Sequence, residues 1–233
     1  MKTFIYLFIT IGFHISILPA AAQAEFMAGM ARINITPETP IRMSGYGNRH
    51  DPFTGIHDSI YATALVFEVG NETVALIGAD VVGFSHEFVD ATLDLIVAKT
   101  GIPRENLMLI AAHNHGGPVT SVYSDNSTEA EENYYNFLKQ KLALVVSHAS
   151  QNVVPAKIGA GKGRCRMNIN RRARHAEGGI WLGRNPEGVC DHEVGIIRID
   201  NQYNQPIGAF LNWPCHATVT GQENTQITGD WPG

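Results

Sequence analysis

The sequence predicts a single α/β domain in which a mixed β-sheet is flanked by helices. Two observations lead to this prediction. Segments of strand character alternate along the chain with segments of helical periodicity, an order typical of sheets that carry packed helices. In addition, no internal repeat or low-complexity linker divides residues 25–233, and their number suits one domain with a substantial buried core.

The predicted strands are short segments rich in apolar and β-branched residues, bounded by turn residues. Residues 70–72 and 201–205 each separate two of them and predict β-hairpins. The continuous apolar run at 107–112 predicts a strand covered on both faces, whereas 45–48 indicates only a turn-rich loop. The predicted strands lie at 28–35, 61–69, 73–82, 107–112, 156–161, 193–199 and 207–213.

Two helices are predicted between these strands. Ser85 is the expected N-cap of the first helix, whose apolar residues recur at helical spacing as far as Thr100, before Gly101 ends it. The second helix begins after Thr128, with three glutamates favourably placed at its N-terminus. Its buried stripe is expected to consist of Tyr134, Leu138, Leu142, Val145 and Ala149.

Residues 1–24 have the features of a secretory signal peptide. Lys2 supplies a positive charge, residues 4–18 form an apolar core, and residues 22–24 read Ala-Gln-Ala, the small-x-small pattern of a cleavage site. The alternative is a short membrane anchor, but the apolar run is shorter than the roughly 20 residues that span a bilayer. We therefore expect residues 25–233 to be secreted or periplasmic.

Charge and cysteine content exclude two classes of function. The formal net charge of −5 is mild and not clustered, so a nucleic-acid partner is not expected. The sequence contains no Cys-x-x-Cys spacing, so a zinc site built on thiolates is not expected. The three cysteines allow at most one internal disulfide, for which Cys165–Cys190 is the predicted pair. A local basic stretch is expected to be a solvated loop; it comprises Lys162, Arg164, Arg166, Arg171, Arg172 and Arg174.

Two histidines, His113 and His115, follow directly on the apolar run at 107–112. Residues i and i+2 of a strand share one face, so both rings are expected to point into the same space. Sites in open α/β sheets collect where strands end, and neutral imidazole is a common zinc ligand. The spacing alone leaves a second interpretation open, in which the two rings are only hydrogen-bonded in a loop.

Further candidates lie at other strand ends. His216 follows the strand predicted at 207–213; alone it suits a structural role, but a second histidine-bearing strand end favours a shared site. Asp80 is either a carboxylate that orients a zinc-bound imidazole or a structural residue. For His57 and Asp58 a structural, bracing role is preferred, and Cys215 is expected in the core.

Five blocks in a consistent order resemble the neutral/alkaline non-lysosomal ceramidase family. As an ordered set they are much more specific than any one block, and together they cover nearly all of residues 25–233. The resemblance implies the N-terminal region of a zinc enzyme that cleaves the amide of N-acylsphingosine to sphingosine and a fatty acid. The blocks are ARINITP (31–37), GIHD (55–58), AAHNHGGP (111–118), NINR (168–171) and NWPCH (212–216).

Carried over position by position, the resemblance implies that His113 and His216 are zinc ligands. It implies that His115 is a non-ligand histidine beside the metal and that Arg171 lines the substrate end of the site. The chemistry agrees, because zinc polarises an amide carbonyl and lowers the pKa of bound water to about 7. His115 would then stabilise the oxyanion or protonate the leaving amine, and Arg171 would anchor a hydroxyl or a carboxylate product.

Two departures from the family pattern bear on substrate and completeness. Residues 228–233 fall where characterised ceramidases have a Gly-Asp block followed shortly by a catalytic serine, and no serine occurs here. The match is to shorter bacterial relatives, which widens the expected substrates to related lipid amides. The family's other zinc ligands, a glutamate and a tyrosine, lie further downstream, so the site is expected to be incomplete within residues 25–233.

Three functions are therefore considered. The leading one is an exported zinc amidase acting on a ceramide-like lipid, with which peripheral membrane contact is compatible, although no amphipathic helix indicates it. The second is a metal-dependent hydrolase of another amide or ester on the same scaffold. The third is a non-catalytic exported fragment that keeps the fold without the full metal site.

Overall fold

The computed structural model describes residues 24–120 and 126–233. The signal peptide predicted at 1–24 therefore lies, apart from Ala24, outside the described residues. The chain begins with β1 (Phe26–Asn34), β2 (Gly55–Ile56), β3 (Tyr61–Val69), β4 (Glu72–Ala79), α1 (His86–Thr100), β5 (Leu107–Ala111) and α2 (Glu129–Gln151). It continues with β6 (Val154–Arg164), β7 (Asn170–Arg174), β8 (Ile180–Asn185), β9 (Glu193–Asn201), β10 (Pro206–Asn212) and β11 (Gln226–Ile227).

Seven strands form one mixed sheet in the order β10-β9-β6-β1-β3-β4-β5. Neighbouring strands are antiparallel except β4 and β5, which are parallel because α1 crosses between them. Two small sheets lie apart from it: β2 pairs with β11 in parallel, and β7 pairs with β8 as an antiparallel hairpin. The predicted class, a mixed sheet with helices in a single domain, is confirmed.

Both helices begin where the sequence predicts. The hydroxyl of Ser85 accepts a hydrogen bond from Phe88 N and caps α1, which ends at Gly101 in the left-handed conformation. Thr128 and Glu131 form a reciprocal capping box at the start of α2. The predicted stripe on α2 is buried at all five positions: Tyr134, Leu138, Leu142, Val145 and Ala149.

The main hydrophobic core lies between the two helices and the strands β1, β3, β4 and β5. A much smaller cluster, built on Ala28, Leu65 and Ile199, joins β1 and β3 to the outer strands. Among the described residues, β6 to β10 contribute only Ala173 and Ile199 as buried hydrophobic residues. The molecule therefore has a helix-backed half, from β1 to α2, and an open half, from β6 to β10.

Two local predictions need correction. The strand at 107–112 is not covered on both faces, because Met108 is 56% exposed on one of them, and β5 is also an edge strand of the sheet. Most of the expected basic loop is strand, since Lys162 and Arg164 end β6 and three of its arginines lie in β7, although the basic side chains are exposed as predicted. The short β2–β11 sheet is also absent from the prediction, since two-residue strands leave no periodicity to detect.

The cysteines and the membrane question complete the description. Cys165, Cys190 and Cys215 are free thiols, so the predicted Cys165–Cys190 disulfide is not present. Cys215, expected in the core, is only partly buried. Within residues 24–120 and 126–233 no helix combines the length and apolarity needed to cross a bilayer.

Candidate metal centre

A buried asparagine fixes the loop that carries His113 and His115. Asn114 N donates to the carbonyl of Val81 at 3.1 Å, and its side-chain amide donates to Asp80 O at 3.1 Å and Thr228 O at 2.7 Å. Its side-chain oxygen accepts from Gly116 N at 2.7 Å. All polar atoms of this fully buried side chain are therefore used to hold the loop against β4 and the β11 segment.

The close approach of Thr228 explains the glycine after His115. A Cβ on Gly116 would lie 2.5 Å from Thr228 Cγ2 and 2.8 Å from Thr228 O. Thr228 N donates to Gly116 O at 3.0 Å, so the two backbones are hydrogen-bonded at this point. Asp58 braces the same segment, because its carboxylate accepts from Thr228 Oγ1 at 2.7 Å and Gly229 N at 2.6 Å. The structural role preferred for Asp58 agrees with these contacts.

His115 is enclosed by the loop that follows β1. Its exposure is 9%, its ring lies edge-on to Tyr46 at a centroid distance of 5.0 Å, and a Cβ on Gly45 would collide with the imidazole. The guanidinium of Arg49 donates to His115 O at 2.6 Å and to Gly221 O at 2.8 Å. Because Arg49 bonds both segments, it ties the His115 loop to the chain that follows His216.

His216 and Arg171 come from the open half. His216 lies shortly after β10, and Arg171 is the second residue of β7. Asn168 joins the two segments, since its amide donates to Pro214 O at 2.9 Å and to Asp191 O at 2.6 Å. Arg171 Nη1 then lies 2.6 Å from His216 Nδ1. The structure thus brings all four predicted site residues together.

Three imidazoles converge through their Nε2 atoms. His115 Nε2 lies 3.4 Å from His113 Nε2 and 2.9 Å from His216 Nε2. The rings of His113 and His216 are stacked, at 15° and a centroid distance of 5.0 Å, and His115 is edge-on to both. One ligand atom from each histidine lies within 4.8 Å of the others, close enough to hold a single metal ion.

Two of the histidines are neutral at physiological pH. Burial, followed by the neighbouring His216, His113, Arg49 and Arg171, lowers the pKa of His115 to about 4. Burial also lowers the pKa of His216, followed by the positive charge of Arg171. Because a metal ligand must present an unprotonated nitrogen, these lowered pKa values favour metal binding at pH 7.

The hydrogen-bond partners assign a tautomer to each ring. His113 Nδ1 lies 2.7 Å from the carbonyl of Val82, which only accepts, so Nδ1 carries the hydrogen and Nε2 has a free lone pair. The guanidinium of Arg171 only donates, so His216 Nδ1 accepts and His216 Nε2 carries the hydrogen. That hydrogen points at His115 Nε2, and the hydrogen of neutral His115 is then on Nδ1, which is buried without a partner.

This arrangement fits a cation. In these tautomers no hydrogen lies between His113 Nε2 and His115 Nε2, which are 3.4 Å apart, and the lone pair of His113 Nε2 remains free to bind a positive ion. His113 is already in the tautomer of a ligand, and the Val82 carbonyl orients its ring. His216 has to give up its contact with Arg171 before its Nε2 can serve as a ligand. His115 supplies a third ring nitrogen, one more than the family resemblance implies.

The orienting group of His113 is a backbone carbonyl and not Asp80. The carboxylate of Asp80 accepts a hydrogen bond from Tyr61 N at 2.8 Å, which supports the structural alternative for this residue. Burial raises the pKa of Asp80. His57 is exposed, and its Nε2 lies 3.8 Å from the carboxylate of Asp58. It does not belong to the cluster of three histidines.

Several residues at the site are missed by sequence reasoning. Gly45, Tyr46 and Arg49 enclose His115, but the sequence indicates only a turn at this position. Asp230 is a second example, because its carboxylate accepts hydrogen bonds from Val219 N and Thr220 N just after His216. Burial opposes ionisation of Asp230, but these hydrogen bonds prevail and lower its pKa. Such long-range contacts have no signal in a single sequence.

An α/β domain with a cluster of histidines where its strands end defines a candidate metal centre of the open-sheet type. The sequence profile described as neutral/alkaline non-lysosomal ceramidase, N-terminal, matches residues 26–233. The chain therefore belongs to the neutral/alkaline non-lysosomal ceramidase family and corresponds to its N-terminal domain. The resemblance inferred from the five sequence blocks is confirmed.

Individual relatives are distant but align over most of the chain. The neutral ceramidase of Oryza sativa subsp. japonica is 24% identical over 91% of this chain and 28% of that protein. Neutral ceramidase A of Dictyostelium discoideum is 24% identical over 91% of this chain and 31% of that protein. The chain thus spans about a third or less of the length of these relatives.

Two solved structures share the fold. A crystal structure of the neutral ceramidase from Pseudomonas aeruginosa matches with a TM-score of 0.71 and 20% identity, over 88% of this chain and 34% of that one. A structure described as ceramidase complexed with C2 matches with a TM-score of 0.73 and 21% identity, over 88% of this chain and 33% of that one. The mixed sheet and the placement of its helices are therefore those of a neutral ceramidase.

Proposed function

We propose that this chain carries the histidine part of a catalytic zinc site, in a hydrolase that cleaves the amide bond of N-acylsphingosine or a related lipid amide. The observation that supports this proposal is the convergence of three imidazole Nε2 atoms beside Arg171. Family membership supplies the reaction class, since the matching relatives are named neutral ceramidases.

Zn²⁺ is the proposed metal because neutral ring nitrogens are among its usual ligands. His113 and His216 would hold it, with His113 oriented by the Val82 carbonyl. When bound, zinc polarises an amide carbonyl and lowers the pKa of a coordinated water. Catalytic zinc sites have three protein ligands and one open position, so these two histidines call for at least one further ligand.

We assign to His115 the role of stabilising the negative charge that develops on the amide oxygen during the reaction. Its ring is enclosed and edge-on to both proposed ligands, and its Nε2 lies within 3.4 Å of the Nε2 atom of each, beside the position proposed for the metal. The low pKa of His115, about 4, keeps the ring neutral at pH 7. When His216 Nε2 binds the metal it no longer donates to His115, whose neutral ring would then carry its hydrogen on Nε2 and donate it to the oxygen or to the leaving amine.

Arg171 is assigned to substrate binding. Its side chain is exposed and approaches the histidine cluster from the open half of the molecule. Once released from His216, a guanidinium there would bind a hydroxyl of the substrate or the carboxylate of the fatty-acid product, for which its paired donors are suited. Export of the protein remains a prediction from residues 1–24.

Zinc stoichiometry tests the metal site directly. The purified chain is expected to bind one Zn²⁺ per molecule in equilibrium dialysis. His113→Ala should lower the affinity more than about 100-fold, since loss of a ligand exceeds the loss of an outer-sphere contact. His148→Ala is the matched control, because His148 is exposed on α2 and remote from the cluster. Unchanged zinc binding by His113→Ala would refute the assignment.

Substrate class requires a second measurement. The zinc-loaded chain is assayed against a short-chain ceramide and against simple amides and esters that lack the sphingoid base. Preference for ceramide supports the lipid amidase, whereas equal turnover of simple amides or esters supports the second hypothesis of a broader hydrolase. Stoichiometric zinc with no turnover of any substrate would favour a binding function for this domain.

A further inference from the structure

The β7–β8 hairpin exposes large apolar side chains to solvent. Ile180, Trp181 and Leu182 are consecutive in β8 and are 67%, 53% and 71% exposed. The hairpin is a two-stranded sheet of its own, outside the seven-stranded sheet. A lone hairpin is only marginally stable in water, and three adjacent exposed apolar residues are unfavourable there unless a partner covers them.

One face of this hairpin combines apolar and basic side chains. In the observed register Arg172 pairs with Leu182, and Arg174 pairs with Ile180. Residues directly opposite each other in an antiparallel pair share a face, and Arg184 lines the same concave space as Arg172, Arg174 and Ile180. All five side chains are exposed. We call this set the hairpin face: Arg172, Arg174, Ile180, Leu182 and Arg184.

The charge of the hairpin is opposite to that of the whole chain. The chain has a formal net charge of −5. Residues 170–185 nevertheless contain four arginines and a single acidic residue, Glu177. Within the described part of the chain, none of the arginines on the hairpin face forms an ion pair with a carboxylate. Their charge is therefore available to an anionic partner.

We propose that the hairpin face docks on an anionic membrane surface. Guanidinium groups bind lipid phosphates, and aliphatic side chains such as those of Ile180 and Leu182 enter the boundary between headgroups and acyl chains. A concave space of about 770 Å³ lies against Arg172, Arg174 and Arg184, large enough for a phospholipid headgroup. Almost fully exposed Val189 lines the same space.

Charge and position favour a membrane over other partners. A second copy of the chain would bring two arginine-rich faces together, which like charges oppose. The hairpin also starts beside the site, since Arg171 in β7 contacts His216. The docking proposal depends only on the residues of the hairpin. The idea that docking presents a lipid substrate to the histidine cluster depends on the proposed function.

Vesicle sedimentation tests the docking. The chain should bind vesicles containing phosphatidylglycerol and sediment much less with pure phosphatidylcholine, and added salt should weaken binding. The double variant Arg172→Gln/Arg174→Gln should lower the partition coefficient roughly 30-fold, since each basic residue contributes roughly fivefold. Leu182→Ser should also weaken binding. Arg198→Gln and Met108→Ser, exposed changes of the same kind on β9 and β5, should leave it unaltered.

Tryptophan fluorescence provides a second, independent measurement of hairpin docking on vesicles. A tryptophan introduced on the hairpin face as Leu182→Trp, in the Trp181→Phe variant, should shift its emission to shorter wavelength on anionic vesicles. Trp181→Phe alone should show no such shift, because position 181 alternates to the opposite face of the hairpin. Equal binding to neutral and anionic vesicles, or a double variant that sediments like the parent, would overturn the proposal. So would a hairpin-dependent dimer without lipid. Zinc stoichiometry measured on the same variants should stay unchanged, which separates failure of docking from failure of the metal site.

Discussion

The helix-backed half and the open half of the molecule contribute to one site in different ways. His113 and His115 follow β5, which lies over the main core, and their loop is closed by buried contacts. His216 follows β10 and Arg171 lies within β7, and both strands contribute almost nothing to that core. One half therefore presents its histidines as part of the folded core, and the other half is expected to place its residues with greater freedom.

Two asparagines make the difference concrete. Asn114 and Asn168 each donate to two backbone carbonyls through one side-chain amide. Asn114 joins the histidine loop to β4 and to the β11 segment, all of which pack on the core. Asn168 joins Asp191 and Pro214, which belong to loops of the open half. The same chemistry thus locks a core element in one place and only links two loops in the other.

The largest expected effect compares these two residues. Asn114→Ala removes three hydrogen bonds of a fully buried side chain and should lower the free energy of unfolding by about 3 kcal/mol. Asn168→Ala should lower it by less than about 1 kcal/mol, because local opening of the loops restores hydration to the freed carbonyls. The zinc affinity of the Asn168→Ala variant should nevertheless fall about tenfold, because the hydrogen bond that positions the segment before His216 is lost.

Urea unfolding of both variants measures the free energy of unfolding, and zinc titration measures the affinity for zinc. Equal losses of unfolding free energy in Asn114→Ala and Asn168→Ala would show that the two halves form one cooperative unit. An unaltered zinc affinity in Asn168→Ala would show that His216 is placed by other contacts.

A smaller effect is expected where the helix-backed half encloses His115. Gly45→Ala should lower the free energy of unfolding by about 2 kcal/mol, because Gly45 has φ of 98° and its new Cβ would displace the imidazole. Gly47→Ala is the matched control in the same loop: a Cβ there meets no heavy atom within 4 Å. Equal thermal unfolding midpoints for Gly45→Ala and Gly47→Ala would contradict this prediction.

The burial of His115 also predicts a pH dependence. Its folded-state pKa, about 4, is lower than its unfolded value of about 6.5, so the unfolded chain binds more protons between these values. Stability from this residue is complete above pH 6.5 and falls as the pH drops towards 4. His115→Gln should flatten the stability profile in that window, as measured by urea unfolding at each pH.

Glu131 provides the internal control for that profile. Its hydrogen bond from Arg42 lowers its pKa to about 2, so its contribution is lost only as the pH falls from about 4.5 towards 2. Glu131→Gln should alter the acidic window and leave the window of His115 intact. A single shared transition would contradict the assignment.

The smallest expected effect concerns the open half. Arg171 holds His216 in the tautomer that cannot bind metal through Nε2, so Arg171→Gln should raise zinc affinity, by up to about tenfold. Arg172→Gln, the next residue, removes an equal charge without a histidine contact and is the control. Weaker zinc binding by Arg171→Gln in calorimetric titration would show instead that Arg171 supports the metal-loaded His216.

Local signals made most of the fold predictable from sequence. Caps such as Ser85 and Thr128 are satisfied by residues three positions away, and the α2 stripe repeats at the helical period, so both helices were placed closely. The exposure of β5 could not be foreseen, because an apolar run does not reveal whether another strand lies beside it. The β7–β8 hairpin was missed since arginines there do not alternate with apolar residues.

The same distinction holds for the site. His113 and His216 could be proposed because each follows an apolar strand, a feature visible within a few residues. Their orienting and enclosing groups, Val82 O and the Gly45 loop, approach from distant parts of the chain. Backbone carbonyls and glycines leave no chemical trace in a sequence, so these contacts emerge only from the folded chain.

The backbone of His113 has φ of 55°, a left-handed conformation that costs a residue with a Cβ about 1–2 kcal/mol. Glycine would adopt it without strain, so His113→Gly should give a chain that resists denaturation better and has lost its first proposed ligand. Selection for stability alone would replace this histidine. A histidine held in this unfavourable conformation accords with the metal-ligand role proposed for His113.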